Sequence, residues 1–399
     1  MSERIARLVD EQLSAGVDTL VPREGLIEKL ANSEKTGVPL RIKLGIDPSA
    51  PHLTLGHSVP LRKMRQFQDL GHTGVLIVGD FTRRIGDPSG RSSTRGLMSE
   101  AEIKKNIETY QEQAYKILDP ERTEVRYNSE WLSVLSLEDI IGLTSKYTVA
   151  RMLERDDFAK RYSEGLPISV LEFLYPLTQA YDSVAIQADV ELGGADQLFN
   201  LLVGRDIQRE YGQQAQIVLT VPLLVGLDGE RAMSQTTGNY VGLSESASEM
   251  YGKVLSIPDA LIEGYFHFLT DIESSTISDL APRDAKRLLA RTLVGMYHSE
   301  EDATASEEEF DRIHIRHERP TDVAQVSLDR ALLNESGSIW VIDLLEASKL
   351  VSSRGEGKRL IKQGGVKIND ERVASPDVDI PFAPPLLLQV GKRAFVELI

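Results

Sequence analysis

Three polar residues occur at helical spacing in the segment YPLTQAYDS. Tyr175, Gln179 and Asp182 are separated by four and then three positions, which puts them on one face of a helix. A carboxylate on that face can accept a hydrogen bond from a ligand hydroxyl, and a phenol and an amide can hold an ammonium group. The pattern therefore predicts a pocket for a small polar ligand, with an ordinary solvated helix face as the alternative.

A glycine and a histidine flank a transition from strand to helix in the segment GIDPSAPHLTLGH. Gly45 lets the backbone approach a ligand closely, and His57 falls in the first turn of the helix. The free N–H groups and the dipole at a helix N-terminus favour an anion such as phosphate. The segment predicts a nucleotide contact, although an isolated histidine at a helix start is more often structural.

Carboxylates follow two further strand patterns. In GDFTRRIGDPSGR, Asp80 and Asp87 flank two arginines, and in ELGGADQLFN, Asp196 follows two glycines. Ligands of open α/β sheets bind at the carboxyl ends of the strands, where an acidic residue can meet a ribose hydroxyl. A turn closed by a salt bridge, or a glycine turn before an acidic helix start, is the alternative. Taken together, these segments predict an amino-acid pocket beside a nucleotide.

The elements that must position these residues alternate between strand and helix over residues 1–240. This alternation predicts an α/β fold with a Rossmann-like, doubly wound parallel sheet. Apolar runs indicate strands at residues 39–46, 74–81, 123–127, 184–192 and 217–224. Helices are expected at 55–71, from 99 onward, and at 136–162, 171–181 and 195–211, with Pro176 interrupting the fourth. Residues 241–335 are expected to form a helical domain with a connector, and residues 338–399 a small α+β module.

The charge is uneven along the 399-residue chain. Its 61 acidic and 45 basic residues give a formal charge of −16, so a polyanionic partner must meet a local basic patch. Residues 338–399 hold nine basic and eight acidic residues, which makes this module the expected contact for a polyanionic partner.

The absence of cysteine excludes disulfides and thiolate chemistry. The longest uncharged apolar run, residues 217–227, is too short to cross a bilayer. We expect a cytoplasmic protein without a membrane segment.

Five segments occur in the order GIDPSAPHLTLGH, GDFTRRIGDPSGR, YPLTQAYDS, ELGGADQLFN and RAMSQTTGNYVGL. In residue type and order they resemble bacterial tyrosyl-tRNA synthetase, a class I aminoacyl-tRNA synthetase. The C-terminal segment LVSSRGEGKRLIKQGGVKINDERV resembles the S4-like RNA-binding domain of that family. The resemblance covers essentially the whole chain. It implies a tyrosine–tRNA ligase, which forms tyrosyl-adenylate from L-tyrosine and ATP and then charges the 3′ end of tRNA(Tyr).

The resemblance also implies roles for individual residues of the amino-acid pocket. Asp182 corresponds to the position that meets the tyrosine hydroxyl, and Tyr175 and Gln179 correspond to those that hold the ammonium group. A carboxylate in that place would reject phenylalanine strongly, because its desolvated oxygens would lack a donor. Asn128 and Trp131 match pocket-lining positions less distinctively. The tyrosine-binding residues implied are Lys43, Asp87, Tyr175, Gln179, Asp182 and Gln197.

Further residues are assigned by the same resemblance. The ATP-binding residues implied are Gly45, Asp47, Ser49, Gly56, Gly194, Asp196 and Met233. The catalytic residues implied are Thr54, His57, Arg231 and Ser234. The RNA-binding residues implied are Arg354, Lys358, Arg359 and Lys362. ATP is expected as a substrate together with Mg²⁺, without a tightly bound cofactor or a metal held by the protein, and the family implies a homodimer with tRNA lying across both subunits.

Two motifs depart from the family pattern. The HIGH motif becomes residues 54–57, TLGH, in which Thr54 can donate one hydrogen bond but cannot be a cation. The KMSKS motif becomes residues 232–236, AMSQT, which lack both lysines. Such cations meet the charge that develops on pyrophosphate in the transition state. Losing one preorganised donor typically lowers the rate by about 10²–10³.

Three arginines are candidate substitutes for the lost lysines. Arg231 directly precedes the first lost position, and Arg83 and Arg84 stand where the family often has small or apolar residues. Arginine binds phosphate well, and Mg²⁺ can carry part of the charge. Three interpretations stay open: an active tyrosine–tRNA ligase, a catalytically impaired paralogue that binds tyrosine or RNA as a sensor or regulator, and another nucleotidyl transferase on the same fold.

Overall fold

The structure, a computed structural model, describes residues 2–89, 99–316, 318–319, 323–391 and 394–399. The chain divides into two compact units, Met1–Ser299 and Glu300–Ile399. Gly90 and Arg91, at the end of the GDFTRRIGDPSGR segment, lie outside the described residues. The same holds for Lys392 and Arg393, two of the basic residues counted in the C-terminal module.

A six-stranded sheet forms the centre of the first unit, with the strand order β1-β6-β5-β2-β3-β4. Its strands are β1 (Thr19–Val21), β2 (Arg41–Ile46), β3 (Thr73–Val78), β4 (Thr123–Tyr127), β5 (Val190–Gly194) and β6 (Ile217–Val221). Strands β2 to β6 run parallel, and β1 pairs with β6 in the antiparallel direction. All but the first residue of β3 are buried, which is typical of a parallel strand covered on both faces.

The order of the strands reverses between β2 and β5. The chain passes from β2 outward through β3 to β4, and then returns so that β5 and β6 lie on the other side of β2. Open α/β sheets bind ligands in the crevice outside the carboxyl ends of the strands at such a point. The ends of β2 and β5, at Ile46 and Gly194, therefore mark the expected ligand site.

Sixteen α-helices are found among the described residues of the first unit. They are α1 (Ser2–Leu8), α2 (Arg23–Thr36), α3 (Leu55–Asp69), α4 (Thr82–Ile85), α5 (Glu100–Ile107), α6 (Tyr110–Ala114), α7 (Ser129–Leu132), α8 (Leu137–Thr144), α9 (Val149–Met152), α10 (Asp156–Ser163), α11 (Val170–Ile186), α12 (Leu198–Glu210), α13 (Ala247–Leu255), α14 (Ile262–Leu269), α15 (Ser274–Ile277) and α16 (Pro282–Tyr297). The long helix expected at 136–162 is thus three short ones, each started by its own turn. Neither β1 nor α2 was expected from the sequence.

Helix α11 differs most from the sequence expectation. It runs without a break past Pro176, starts at a capping box formed by Ser169, and ends where Gln187 takes a left-handed conformation. Val184 and Ile186 alternate with a small residue and therefore resemble the start of a strand, but the helix continues through both and buries them. The consequence for the site is that one rigid element carries all the polar positions predicted on this segment.

The second unit has its own apolar core and two small sheets. Its elements are α17 (Glu300–Phe310), β7 (Gln325–Val326), β8 (Ser338–Trp340), α18 (Val341–Ala347), α19 (Arg354–Lys362), β9 (Val366–Ile368), β10 (Glu371–Arg372), β11 (Asp379–Pro381), β12 (Leu386–Val390) and β13 (Ala394–Leu398). The strand orders are β10-β9-β12-β13-β7 and β11-β8. Leu344, Leu345 and Leu388 lie in the core between helices and sheet. Across the described residues, the helices found lack the combination of length and apolarity that a membrane span requires.

Candidate active site

A cavity of about 350 Å³ opens at the carboxyl ends of β2, β3 and β5. Gly45 of β2, Gly79 after β3 and Gly194 of β5 all line it. Glycine is sterically required at position 79, since a Cβ there would lie 2.0 Å from Asp47 Oδ1. The cavity coincides with the switch point of the sheet and falls within the range of roughly 300–1,000 Å³ that small-molecule sites occupy.

Most of the residues predicted for the amino acid and the nucleotide surround this cavity. The predicted residues in its lining are Gly45, Asp47, Ser49, Thr54, Gly56, His57, Asp87, Tyr175, Gln179, Asp182, Gly194, Asp196, Gln197 and Met233. Lys43, Arg231 and Ser234 lie outside the lining. The two carboxylates Asp87 and Asp182 therefore face one common space.

Asp182 lies in the cavity wall on α11 and is 3% exposed. Its Oδ1 accepts a hydrogen bond from Trp131 Nε1 at 2.7 Å, and its Oδ2 accepts one from Asn128 Nδ2 at 3.2 Å. Burial raises the pKa of Asp182 to about 7, although the charge of Lys43 and these two hydrogen bonds lower it. Each oxygen keeps a lone pair for a further donor, so the group can receive a ligand hydroxyl.

Lys43 lies beneath the cavity in β2 and is fully buried. Its Nζ lies 2.8 Å from Glu191 Oε1 and donates to the carbonyl oxygen of Gln179 at 2.9 Å and to Ser183 Oγ at 2.8 Å. These three acceptors use all three donors of the ammonium, so Lys43 supports α11 rather than reaching the cavity. Glu191, its neighbour across the sheet, was not named from the sequence. Opposite charges inside two buried strand patterns are the signal that could have found the pair.

Tyr175 and Gln179 follow on the same helix. The Tyr175 hydroxyl donates to Asp47 Oδ2 at 3.0 Å, and Thr82 Oγ1 donates to Asp47 Oδ1 at 2.8 Å. Burial raises the pKa of Asp47 to about 6, although the hydrogen bond from Thr82 lowers it. Gln179 Oε1 is buried without a hydrogen-bond partner among the described residues. A buried acceptor of this kind suits a ligand N–H group such as an ammonium.

Asp87, in the turn after α4, is held by two other segments. Gln197 Nε2 donates to Asp87 Oδ2 at 2.8 Å, and the backbone N–H of Ser89 donates to Oδ1 at 2.8 Å. The guanidinium of Arg155, which is 6% exposed, lies 3.9 Å from Asp87 Oδ1. Arg155 was not predicted, and nothing in its local sequence indicates this position. The contacts fix the carboxylate at the cavity wall.

His57 is the third residue of α3 and forms a capping box with Thr54. Its Nδ1 accepts a hydrogen bond from the Thr54 backbone N–H at 3.1 Å and lies 2.8 Å from Thr54 Oγ1. Burial lowers the pKa of His57 to about 4, so the ring is neutral at pH 7. Because Nδ1 is the acceptor, the ring proton is assigned to Nε2, which can donate to an anion. The hydroxyl of Thr54 is engaged with His57 and adds no charge.

The segment at the position of the KMSKS motif directs Arg231 away from the cavity. Arg231 Nε donates to Asp228 Oδ2 at 3.0 Å, and the Arg231 side chain is 65% exposed. Of residues 231–236, which are all described, Ala232 and Met233 line the cavity. The segment therefore contributes apolar contacts and backbone to the site, and its cation is paired elsewhere.

The same segment is held in place by amide side chains. The Ser234 backbone N–H donates to Asn239 Oδ1 at 2.8 Å, and Gln235 Nε2 donates to the carbonyl oxygen of His52. Gln235 stands at one of the two lost lysine positions. These bonds give the segment a fixed position next to the start of α3.

The two arginines after β3 have different surroundings. Arg83, on α4, is 3% exposed and lines the cavity. Its Nε is buried without a hydrogen-bond partner within the described part of the chain. Arg84 is exposed, its guanidinium lies 5.7 Å from the Phe81 ring, and it does not line the cavity. Of the three candidate arginines, Arg83 is the one that the fold brings to the site.

The predicted RNA-binding residues are exposed on α19 in the second unit; they are Arg354, Lys358, Arg359 and Lys362. Arg354 and Arg359 pair with acidic residues of the same module at 2.8 and 3.7 Å. No ion pair found among the described residues involves Lys358 or Lys362, and Lys358 Nζ lies 5.4 Å from the Trp340 ring. These two ammonium groups are therefore available to an outside anion.

Comparison with known proteins identifies the family of the chain. The family of class I tRNA synthetases (W and Y) matches residues 35–314, and the S4 domain family matches residues 340–380. The tyrosine–tRNA ligase of Moorella thermoacetica is 49% identical over 395 residues, covering 97% of this chain and 94% of the relative. The tyrosine–tRNA ligase of Thermotoga maritima is 50% identical over 395 residues, covering 97% and 96%.

A solved structure supports the same fold. The C-terminally truncated mitochondrial tyrosyl-tRNA synthetase of Aspergillus nidulans matches with a TM-score of 0.63 at 22% identity, covering 78% of this chain and 98% of that chain. The predicted architecture, a Rossmann-like sheet with a helical region and an S4-like module, is confirmed. The chain therefore belongs to the tyrosyl-tRNA synthetase family of class I and carries an S4 domain near its C-terminal end.

Proposed function

We propose that this chain is a tyrosine–tRNA ligase. It activates L-tyrosine with ATP, releases pyrophosphate, and transfers the tyrosyl group to the 3′ end of tRNA(Tyr). The observation that carries the proposal is the convergence of Asp182, Gln179 and His57 on one cavity at the switch point of the sheet. Similarity over nearly the full length to tyrosine–tRNA ligases supports it.

The amino-acid end of the cavity matches the three polar groups of tyrosine. The Asp182 carboxylate receives the phenol hydroxyl, while the buried Oε1 of Gln179 and the Asp87 carboxylate receive the ammonium group. Phenylalanine would leave the desolvated Asp182 oxygens without that donor. A site built to bond a hydroxyl rejects the analogue that lacks it by about 10⁴–10⁵.

The first chemical step needs no general base, because the tyrosine carboxylate is already ionised. One of its oxygens attacks the α-phosphorus of ATP, and the bond from that phosphorus to the bridging oxygen of pyrophosphate breaks. The neutral His57 donates from Nε2 to a phosphate oxygen at the start of α3, where free backbone N–H groups also favour an anion. Gly45 and Gly194 allow the adenosine to lie against the backbone, and Asp196 meets the ribose.

Mg²⁺ is proposed to enter with ATP rather than to reside in the protein. The described residues contain no group of three or more histidine or acidic side chains arranged to hold a metal ion. Mg²⁺ bound through nucleotide phosphates and water needs no such group. When bound, the ion neutralises part of the triphosphate charge.

The direct test is tyrosine-dependent exchange of labelled pyrophosphate into ATP, followed by tyrosylation of tRNA(Tyr). A tyrosine–tRNA ligase gives both reactions with tyrosine and neither with phenylalanine. Absence of exchange in protein that binds tyrosine by calorimetry would contradict the proposal.

One observation favours a second candidate, an impaired paralogue that binds tyrosine or RNA as a sensor or regulator. The loop that replaces KMSKS offers no free cation, because Arg231 pairs with Asp228. Retained tyrosine binding without exchange would select this candidate, whereas exchange would exclude it.

We propose that α19 contributes to tRNA binding through Lys358 and Lys362. Replacing both with glutamine should weaken tRNA binding and reduce the slope of log K against log salt by about two, because each contact contributes roughly one unit. Tyrosine-dependent exchange in the same variant should stay unchanged and serves as the control. An unchanged salt slope would remove these lysines from the interface.

We also propose a homodimer, formed through the region of α8 to α11. Of 19 large apolar side chains that are exposed among the described residues, eight fall within residues 134–171: Val134, Leu137, Ile141, Val149, Tyr162, Leu166, Val170 and Leu171. Exposed apolar side chains in this number, within one stretch of the chain, make the stretch the candidate surface for a partner. Sedimentation equilibrium should give a dimer, and the double variant Leu137→Glu/Val170→Glu should convert it to a monomer.

The cytoplasm is the compartment that we propose, and a chain without cysteine fits it.

A further inference from the structure

The cavity has an unusual balance of charge. Its lining contains four carboxylates, those of Asp47, Asp87, Asp182 and Asp196. Among the described residues of the lining, Arg83 is the one side chain that carries a permanent positive charge, because His57 is neutral. From the described lining, a triphosphate that enters this space would meet acidic groups on several sides and one permanent cation.

Within the described residues, Arg83 also has no ion-pair partner in contact with it. No salt bridge found in the described ranges includes it, and its Nε is buried without a partner. The two carboxylates whose pKa the charge of Arg83 lowers are hydrogen-bonded to other groups: Asp47 to Thr82 and Tyr175, and Glu102 to Ser99. A buried cation is normally paired, because leaving it unpaired is costly. Since no described carboxylate bonds to Arg83, an anionic ligand is the counter-charge that the cavity can supply.

The position of Arg83 favours a phosphate over the tyrosine carboxylate as that anion. Burial raises the pKa values of Asp47 and Tyr110, and the charge of Arg83 lowers both. The guanidinium thus lies near residues 47–50, whose Ala50 carbonyl oxygen accepts a hydrogen bond from Tyr110. This loop leads to the start of α3, where the phosphates are expected. The planar guanidinium also matches two phosphate oxygens at once.

We propose that Arg83 binds the phosphates of ATP and stabilises the pyrophosphate leaving group, in place of the cations that residues 232–236 lack. The proposal rests on the proposed function. As the carboxylate oxygen bonds to the α-phosphorus, the bridging bond breaks and its electron pair stays on the oxygen of pyrophosphate. Arg83 meets that added negative charge without a proton transfer.

The test compares Arg83→Gln, Arg83→Lys and Arg84→Gln, the last being a matched neighbour that is exposed and outside the lining. Calorimetry measures the binding of ATP, AMP and tyrosine, and the exchange assay measures activation. Arg83→Gln should weaken the binding of ATP at least tenfold relative to the binding of AMP and leave tyrosine binding unchanged. It should also lower kcat for exchange by about 10²–10³. Arg83→Lys should recover part of this loss, and Arg84→Gln should cost at most about twofold.

Folding is monitored by the melting temperature. Removing an unpaired buried cation should leave the melting temperature of Arg83→Gln equal to or above that of the wild type. A lower melting temperature with equal loss of ATP and AMP binding would make Arg83 a structural residue and overturn the proposal.

Other outcomes separate the proposal from the function on which it rests. If the wild type exchanges pyrophosphate and Arg83→Gln does so equally well, the role of Arg83 is refuted while the function stands. If tyrosine rather than ATP binds more weakly, Arg83 binds the carboxylate and the proposal fails. The wild type could fail to exchange pyrophosphate while Arg83→Gln still binds ATP more weakly relative to AMP. In that case the phosphate contact stands and the proposed function fails.

Discussion

The amino-acid end of the cavity and its phosphate end are built in different ways. At the amino-acid end, Asp182 is held by Trp131 and Asn128, and beneath it Lys43 and Glu191 form a buried ion pair. At the phosphate end, residues 228–239 form a largely exposed segment, which is held by hydrogen bonds within it and by one from Gln235 to His52. One end is an interlocked buried network, and the other is an exposed loop beside the start of a helix.

This difference explains where the chain could change. A substitution in a buried network leaves a charge or a polar group without its partner, which is costly. A substitution in an exposed loop costs little stability, because water replaces the lost contact. The positions that differ from the KMSKS motif lie in the largely exposed loop. At the position that differs from the HIGH motif, the hydroxyl of Thr54 still bonds to His57. Amino-acid recognition can therefore persist while the phosphate contacts are rearranged.

Removing the hydroxyl acceptor should have the largest effect. In Asp182→Ala, the preference for tyrosine over phenylalanine in the exchange reaction should fall by at least about 10³, out of the 10⁴–10⁵ that such a site provides. ATP affinity should not change, because Asp182 lies at the other end of the cavity. Asp80→Ala, a carboxylate outside the lining that bonds to Ser129, is the matched control. A mutant that still prefers tyrosine would show that the pocket is assigned wrongly.

Breaking the buried ion pair should have the next largest effect. Lys43→Met leaves Glu191 charged and buried, and should lower the free energy of unfolding by about 3–5 kcal/mol. Urea unfolding measures this loss. The double variant Lys43→Met/Glu191→Gln should recover most of it, since no charge is then left unpaired. A loss below about 1 kcal/mol in the single variant would mean that the network is not interlocked.

The protonation of Asp182 should appear in the pH dependence of stability. Because its pKa in the folded state is raised to about 7, its contribution is complete at low pH and is lost as the pH rises through 7. Asp182→Asn removes that dependence. The free energy of unfolding of the variant, minus that of the wild type, should therefore rise between pH 5 and pH 8, by on the order of 2 kcal/mol. Equal pH profiles would place the pKa of Asp182 near its ordinary value.

The smallest effect is expected at the exposed loop. Arg231 pairs with Asp228 in water, and exposed ion pairs contribute about 0–1 kcal/mol. Arg231→Ala should change the exchange rate by no more than about twofold. A fall of about 100-fold would mean that the loop turns its arginine inward when ATP binds, and would move the phosphate contact from α4 to this loop.

The fold was predictable where local patterns are strong and ambiguous where they are not. Strands β2, β3 and β6 are apolar runs next to turn residues, so the parallel sheet follows from them. Residues 184–186 were wrongly assigned to a strand, because an alternating apolar pattern over three residues cannot distinguish a strand from the buried end of a helix. Pro176 was expected to break α11, yet the helix runs through it and buries its ring.

The sequence by itself determined which groups are present and which lie together locally. Helical periodicity is a short-range property, so Tyr175, Gln179 and Asp182 could be placed on one face without a structure, and a missing lysine is visible in any alignment of motifs. Tertiary structure decided which charged side chain reaches the cavity. Lys43 lies under it, Arg231 turns to Asp228, and Arg83 lines it. Burial and charge pairing depend on residues far apart in the chain, so a local pattern can suggest a pair such as Lys43 and Glu191 but does not decide which partner a side chain meets.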